Sequence, residues 1–236
     1  MAAKAYERVA DTLHERVVAG ELEPGVRLPT ETVLASEFGV SRATVREALR
    51  LLAAQNLIRT AKGATGGSYV TLPSADHLSR SLRSGIGLLA DARNVSLEEL
   101  LEARELLEVP AARLAAARRQ EHDLERLRAT IPGHPLDLGA QEQFAYNADF
   151  HSAVLGAAGN TLLVIAAQPI FDVLQMRLVR STLGSRFHRA INSHHRAIAE
   201  AIEAGDEDGA GREMHGHMQF LRPYYEKAWR GLGGQA

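Results

Sequence analysis

The 236-residue sequence contains no cysteine. That excludes a disulfide framework and thiolate metal sites, and it fits a reducing cytoplasm, the compartment expected for this protein. Aromatic residues are scarce, at 5% with a single tryptophan. Hydrophobic residues nevertheless make up 45% of the chain and charged residues 24%. That is enough to bury a real core and argues against disorder. An excess of one charge sign is also lacking: the formal net charge is −2. Residues 1–72 carry nine Lys/Arg against eight Asp/Glu, so any nucleic-acid surface must be local rather than global. No apolar run reads as membrane-spanning, and the N-terminus lacks a basic-then-apolar leader pattern, so no membrane partner is expected.

The length accommodates one large or two modest domains. Near the start, Tyr6, Val9, Leu13 and Val17 recur at helical spacing. The breaker-rich stretch GELEPGVRLP follows. Thr30 can then cap a helix over 31–38 that ends at Gly39, and Ser41 can cap a second running to about Gln55. Asn56 stands where a helix end favours a left-handed residue. Leu57–Thr60 and Ser68–Leu72 read as two strands around a glycine-rich turn. Beyond Pro73 strand signals fade. Ser96 and Glu99 form a capping box, Pro110 interrupts or kinks the helix that follows, and further helices are expected near 77–90, 121–129, 137–156, 161–181, 186–204 and 206–229. The predicted fold is mainly α. A winged helix-turn-helix over 1–72 leads through a linker at 73–76 to an all-α antiparallel helical bundle over 77–236.

Two short helices followed by a hairpin are suited to DNA. In SRATVREALRLL, Ser41 caps, Arg42 and Arg46 share a face with Thr44 beside them, and Val45, Ala48, Leu49 and Leu52 form the opposite apolar stripe. Arginines near a helix N-terminus can reach guanine edges and phosphates. Lys62-Gly63, at the hairpin tip, suits a minor-groove or phosphate contact. The stretch PGVRLPTETVLASEFGVSRATVREALRLLAAQNLI, followed by KGATGGSYV, resembles the DNA-binding domain of GntR-family bacterial transcription regulators. The resemblance implies operator contacts from Arg42, Thr44 and Arg46, with Lys62 and Gly63 entering the minor groove. Some members place an arginine where this chain has Thr32, so a phosphate or base contact is expected to be weaker or absent there. Arg27 and Arg50 are second-tier candidates for phosphate.

Six of the ten histidines lie between 151 and 217. Asn147 and His151, four apart, share one helix face. His195 falls on the apolar stripe Ile191–His195–Ile198–Ile202, and His217 falls with Met214, Met218 and Leu221. Three imidazoles and one oxygen ligand suit zinc, nickel, iron or manganese. The segments LLEARELLEVPAARLAA, NADFHSAVLGAAGN, SHHRAIAEAIEAGD and MHGHM resemble, in order and spacing, the FadR-like, FCD-type effector domain of the same family. That resemblance implies a divalent metal at Asn147, His151, His195 and His217, often assisting an organic-acid effector. Many members have Asp where this chain has Asn147, and a neutral carbonyl is the poorer ligand. Arg104 matches a pocket arginine. It can grip a carboxylate bidentately, or it can pair with Glu108 one turn away. The implied function is a ligand-responsive regulator, a homodimer on a palindromic double-stranded DNA operator, repressing and answering to a small carboxylate. A regulator answering to the metal alone is the alternative. With no HExxH motif and mainly Ile, Met and Leu around the histidines, an enzyme is not expected.

Overall fold

The computed structural model describes residues 4–61, 63, 66–178 and 183–233. The chain divides into two compact units, Met1–Ser74 and Ala75–Ala236.

The first unit contains α1 (Ala5–Val18), α2 (Glu31–Phe38), α3 (Arg42–Ala54), β1 (Ile58–Ala61) and β2 (Gly67–Val70). Its local signals act as the sequence suggests. The Thr30 side chain accepts from Val33 N, and the Ser41 side chain accepts from Thr44 N at 3.1 Å. Gly39 ends α2 in the left-handed conformation at φ 64°, and Asn56 follows α3 at φ 57°. The core gathers Val9 and Leu13 of α1, Leu34 of α2, and Val45, Ala48, Leu49 and Leu52 of α3. The strands pair antiparallel with Ile58 opposite Val70. The stretch expected only to break α1 does more. Leu28 N donates to Ser68 O and Val70 N to Val26 O, both at 2.8 Å, so residues 26–28 line the other edge of β2. Backbone pairing of this kind leaves no side-chain signature.

The second unit contains α4 (Ala75–Asp91), α5 (Leu97–Arg118), α6 (Glu121–Ala129), α7 (Ala140–Ala157), α8 (Thr161–Leu178), α9 (Ser185–Ala204) and α10 (Glu207–Gly233). It is an antiparallel helical bundle. Helix α4 starts at Ala75, inside the stretch expected as linker. The expected continuation of α8 to 181 runs outside the described residues. The Ser96–Glu99 capping box is formed in both directions, at 3.2 and 2.8 Å. Helix α5 packs against α7, α8, α9 and α10 and so runs through the centre. It also passes unbroken through Pro110. The ring deprives the Leu106 carbonyl of its helical partner, but Leu106 is exposed, so water can take over.

One expectation needs correction. Helix α8 is 18 residues long with mean hydropathy 1.3, enough by length and composition to cross a membrane. Its apolarity serves the bundle: Phe171, Val173, Leu174 and Leu178 are buried, and the helix packs against α4, α5, α7 and α10. The sequence reading missed it because Gln168, Asp172 and Gln175 interrupt the apolar run.

Candidate DNA surface and candidate metal centre

Helix α3 buries its apolar stripe and leaves the opposite face open. The Arg42 and Arg46 side chains are 64% and 51% exposed. Thr44 is half-buried, with its hydroxyl 2.9 Å from that of Ser41. Arg46 is nevertheless engaged: its Nε donates to Glu31 Oε1 at 3.0 Å and its Nη2 to Glu31 Oε2 at 2.7 Å. The sequence reading missed Glu31, which lies fifteen residues away on another helix. Gly63 is exposed at φ 106°, a conformation that favours glycine. Lys62, its expected partner at the wing tip, lies outside the described residues. The second-tier cations have local partners: Arg27 donates to the Gly66 carbonyl, and Arg50 pairs with Glu47 at 3.1 Å.

In the bundle, helical periodicity aims three histidines inward. His151 on α7, His195 on α9 and His217 on α10 are buried, and one ring nitrogen from each lies within 4.8 Å of the others. His151 Nε2 and His217 Nε2 are 3.3 Å apart. Two nitrogens each about 2.05 Å from a tetrahedrally bound ion stand about 3.3 Å apart, so this spacing fits one. His195 Nε2 and His217 Nδ1 are buried without a hydrogen-bond partner, as is Asn192 Oδ1. Buried polar atoms are rarely left in that state, and an ion or guest would relieve them. Phe150 stacks on the His195 ring at 3.8 Å and fixes its plane.

Beside the histidines runs a fully buried polar chain. Arg104 Nε donates to Glu108 Oε1 at 2.6 Å, Arg104 Nη1 donates to the Tyr225 hydroxyl at 2.8 Å, and Arg104 Nη2 lies 3.2 Å from His151 Nε2. Glu108 Oε2 is 2.5 Å from His151 Nδ1. The carboxylate thereby draws the ring proton to Nδ1 and leaves the Nε2 lone pair between Arg104 Nη2 and the His217 ring. Arg104 therefore points inward and pairs with Glu108, the second of its two readings. Burial pushes the Glu108 carboxyl up, but Arg104 and His151 outweigh it and hold it at about 2. Burial also lowers all three histidines: at His151 Glu108 opposes it in part, and at His195 and His217 the neighbouring imidazoles and Arg104 deepen it strongly. They are neutral near pH 7, the form that binds metal.

Asn147, the expected oxygen ligand, is half-buried, and its Nδ2 donates to Gln175 Oε1 at 2.7 Å. With Asn192 and His195 it lines a cavity of about 30 Å³. Glu108 carried a sequence signal, its i+4 spacing from Arg104, but its bond to His151 did not. Tyr225 carried one as well, its place on the stripe of Met214, Met218 and Leu221, but its bond to Arg104 did not.

Comparison with known proteins matches this architecture part by part. Residues 5–70 match the model for bacterial regulatory proteins of the gntR family, and residues 99–220 match the FCD domain. The chain is 31% identical to the putative L-lactate dehydrogenase operon regulatory protein of Escherichia coli K12, with 91% of this chain and 84% of that protein covered. It is 31% identical to the HTH-type transcriptional regulator LutR of Bacillus subtilis, over 88% of this chain and 97% of that one. Among solved structures, Streptococcus agalactiae GntR superposes with a TM-score of 0.59 at 26% identity, covering 92% of this chain and 99% of that one. Winged domain, helical bundle and whole-length relatives agree: the chain belongs to the GntR family of transcription regulators, in the branch that carries an FCD effector domain.

Proposed function

We propose that this regulator is a cytoplasmic homodimeric repressor whose bundle holds a divalent metal and a small hydroxy-carboxylate. The observation that carries this reading is the trio of buried imidazoles within 4.8 Å, with two ring nitrogens lacking partners. His151, His195 and His217 would hold the ion, with Asn147 as a weak fourth ligand. Bound there, zinc, nickel, iron or manganese would supply positive charge able to polarise a carboxylate. The charge balance then favours an anionic guest. Arg104 and Glu108 cancel, the three histidines are neutral, and Asn147 brings no charge, so a dication would stand uncompensated in a buried site.

Arg104 suits the guest's carboxylate. Its Nη1 carries a second hydrogen beyond the one given to Tyr225, and an ion taking the His151 Nε2 lone pair would release Nη2 as well. Asn192 Oδ1 is a buried acceptor lacking a donor, which suits a hydroxyl. The name of the Escherichia coli relative attaches it to an L-lactate dehydrogenase operon, and lactate is a 2-hydroxy acid. L-lactate should therefore change operator affinity of the metal-loaded protein. Asn192→Leu should weaken L-lactate binding about fivefold, the worth of one hydrogen bond, and leave propionate unaffected. Calorimetric titration reads both. No heat with either acid would reject the effector reading. A change of DNA affinity with metal alone, and none with acid, would favour the metal-sensing alternative.

At the DNA, Arg42, Thr44 and Arg46 would read the major groove, with Lys62 and Gly63 in the minor groove. In a dimer, two such helices would meet half-sites about one DNA turn apart. Arg46→Ala should weaken operator binding by about 1–3 kcal/mol. Unchanged affinity in a folded variant would sink the assignment. Coupling between effector and operator is expected on the order of 1–3 kcal/mol.

A further inference from the structure

Arg46 is held by a carboxylate from the preceding helix in a way that leaves its reading edge open. The guanidinium is planar, with five N–H groups in a fixed fork. Glu31 takes the Nε hydrogen and one Nη2 hydrogen, the side-on pairing. Both Nη1 hydrogens and the second Nη2 hydrogen remain, and no other hydrogen-bond partner takes them among the described residues. They form the end-on edge, whose spacing matches O6 and N7 of guanine in the major groove. Arg42, 3.9 Å from the same Glu31 oxygen, is too far for a hydrogen bond and only shares its charge.

We propose that Glu31 is a positioning residue for base reading: it fixes the plane and reach of Arg46 before DNA arrives. The proposal rests on the reading of Arg46 as a base contact. An unheld arginine must freeze several rotamers on binding, and a held one has already done so. Folding does not require the pair, because both side chains are exposed enough for water to screen it, at 51% and 30%. Glu31 is also the first residue of α2, where a negative charge meets the positive end of the helix. The carboxylate therefore stays ionised and in place; its charge is further favoured by the Arg46 hydrogen bond. An acidic group beside DNA repels phosphate, so a bystander Glu31 would only weaken binding to every sequence alike. Those two roles separate cleanly.

The test is selection of a duplex library, randomised across the half-site, by the full-length protein and by Glu31→Gln, Arg46→Ala and the double variant. The wild type should enrich guanine at one position, and Arg46→Ala should lose that preference. Glu31→Gln should fold normally and lose about tenfold of the same preference, with other positions unchanged. The double variant should match Arg46→Ala. If Glu31→Gln keeps the guanine preference and changes only overall affinity or its salt dependence, the proposal is overturned. If Arg46→Ala keeps the wild-type preference, the base-contact reading fails, and the positioning role falls with it.

Discussion

Glu108→Ala should lower the stability of the bundle by about 3–5 kcal/mol, the cost of stranding one member of a buried ion pair. Arg104 and Glu108 are each 1% exposed. Arginine cannot shed its proton, so without Glu108 its charge stays buried with only neutral neighbours, Tyr225 and His151. The acid dependence gives the same scale. A carboxyl held at about 2 against an ordinary 4.5 is a depressed group. Its stabilisation, about 3 kcal/mol, is present above pH 4.5 and lost as pH falls towards 2. Glu108→Gln keeps the shape and one acceptor oxygen and should cost less. The only tryptophan, Trp229, lies in the bundle unit, so urea unfolding followed by its fluorescence reads that unit alone. A loss under about 1 kcal/mol for the alanine variant would mean that Arg104 is balanced by something other than Glu108.

The second large effect concerns the histidines. Folded, His151, His195 and His217 resist protonation because burial disfavours the charge; neighbouring imidazoles and Arg104 add to this at His195 and His217, and Glu108 offsets it only in part at His151. Unfolded, they titrate near 6.5. The unfolded state therefore binds more protons below that value, and stability falls as pH falls. Each such group adds up to about 1.4 kcal/mol per pH unit in metal-free protein, and His195 and His217, lowered furthest, carry most of the slope. Bound metal should oppose the loss, adding about 4 kcal/mol at a thousandfold excess over its dissociation constant. His217→Ala should flatten the slope and abolish the metal-dependent gain. Urea midpoints from pH 5 to pH 7, with chelator or with zinc, check both. A metal-free protein equally stable at pH 5 and pH 7 would contradict the buried neutral trio.

How much was legible beforehand follows a physical line. Caps and helix faces depend on neighbours within one or two turns, so Thr30, Ser41, Gly39 and Asn56 could be placed, and the stripes through His195 and His217 could be aimed inward. Contacts between elements distant in sequence could not. Tyr225 meets Arg104 across 121 residues, and Glu31 meets Arg46 across fifteen. Helical periodicity can turn Tyr225 inward with Met214, Met218 and Leu221, but it cannot name the residue it meets. Pro110 is a related case: its local cost is real, but α5, packed among the surrounding helices, continues through it rather than being interrupted. Asn147 shows the same limit, because a shared helix face with His151 does not reveal that Gln175 occupies its amide.

The central claim is that three buried imidazoles make one metal site. Intact-mass measurement of chelator-stripped protein after addition of zinc tests it most directly. The account predicts one ion per chain in the wild type and none retained in His151→Ala, His195→Ala or His217→Ala. An unloaded wild type, or variants that keep their ion, would contradict it.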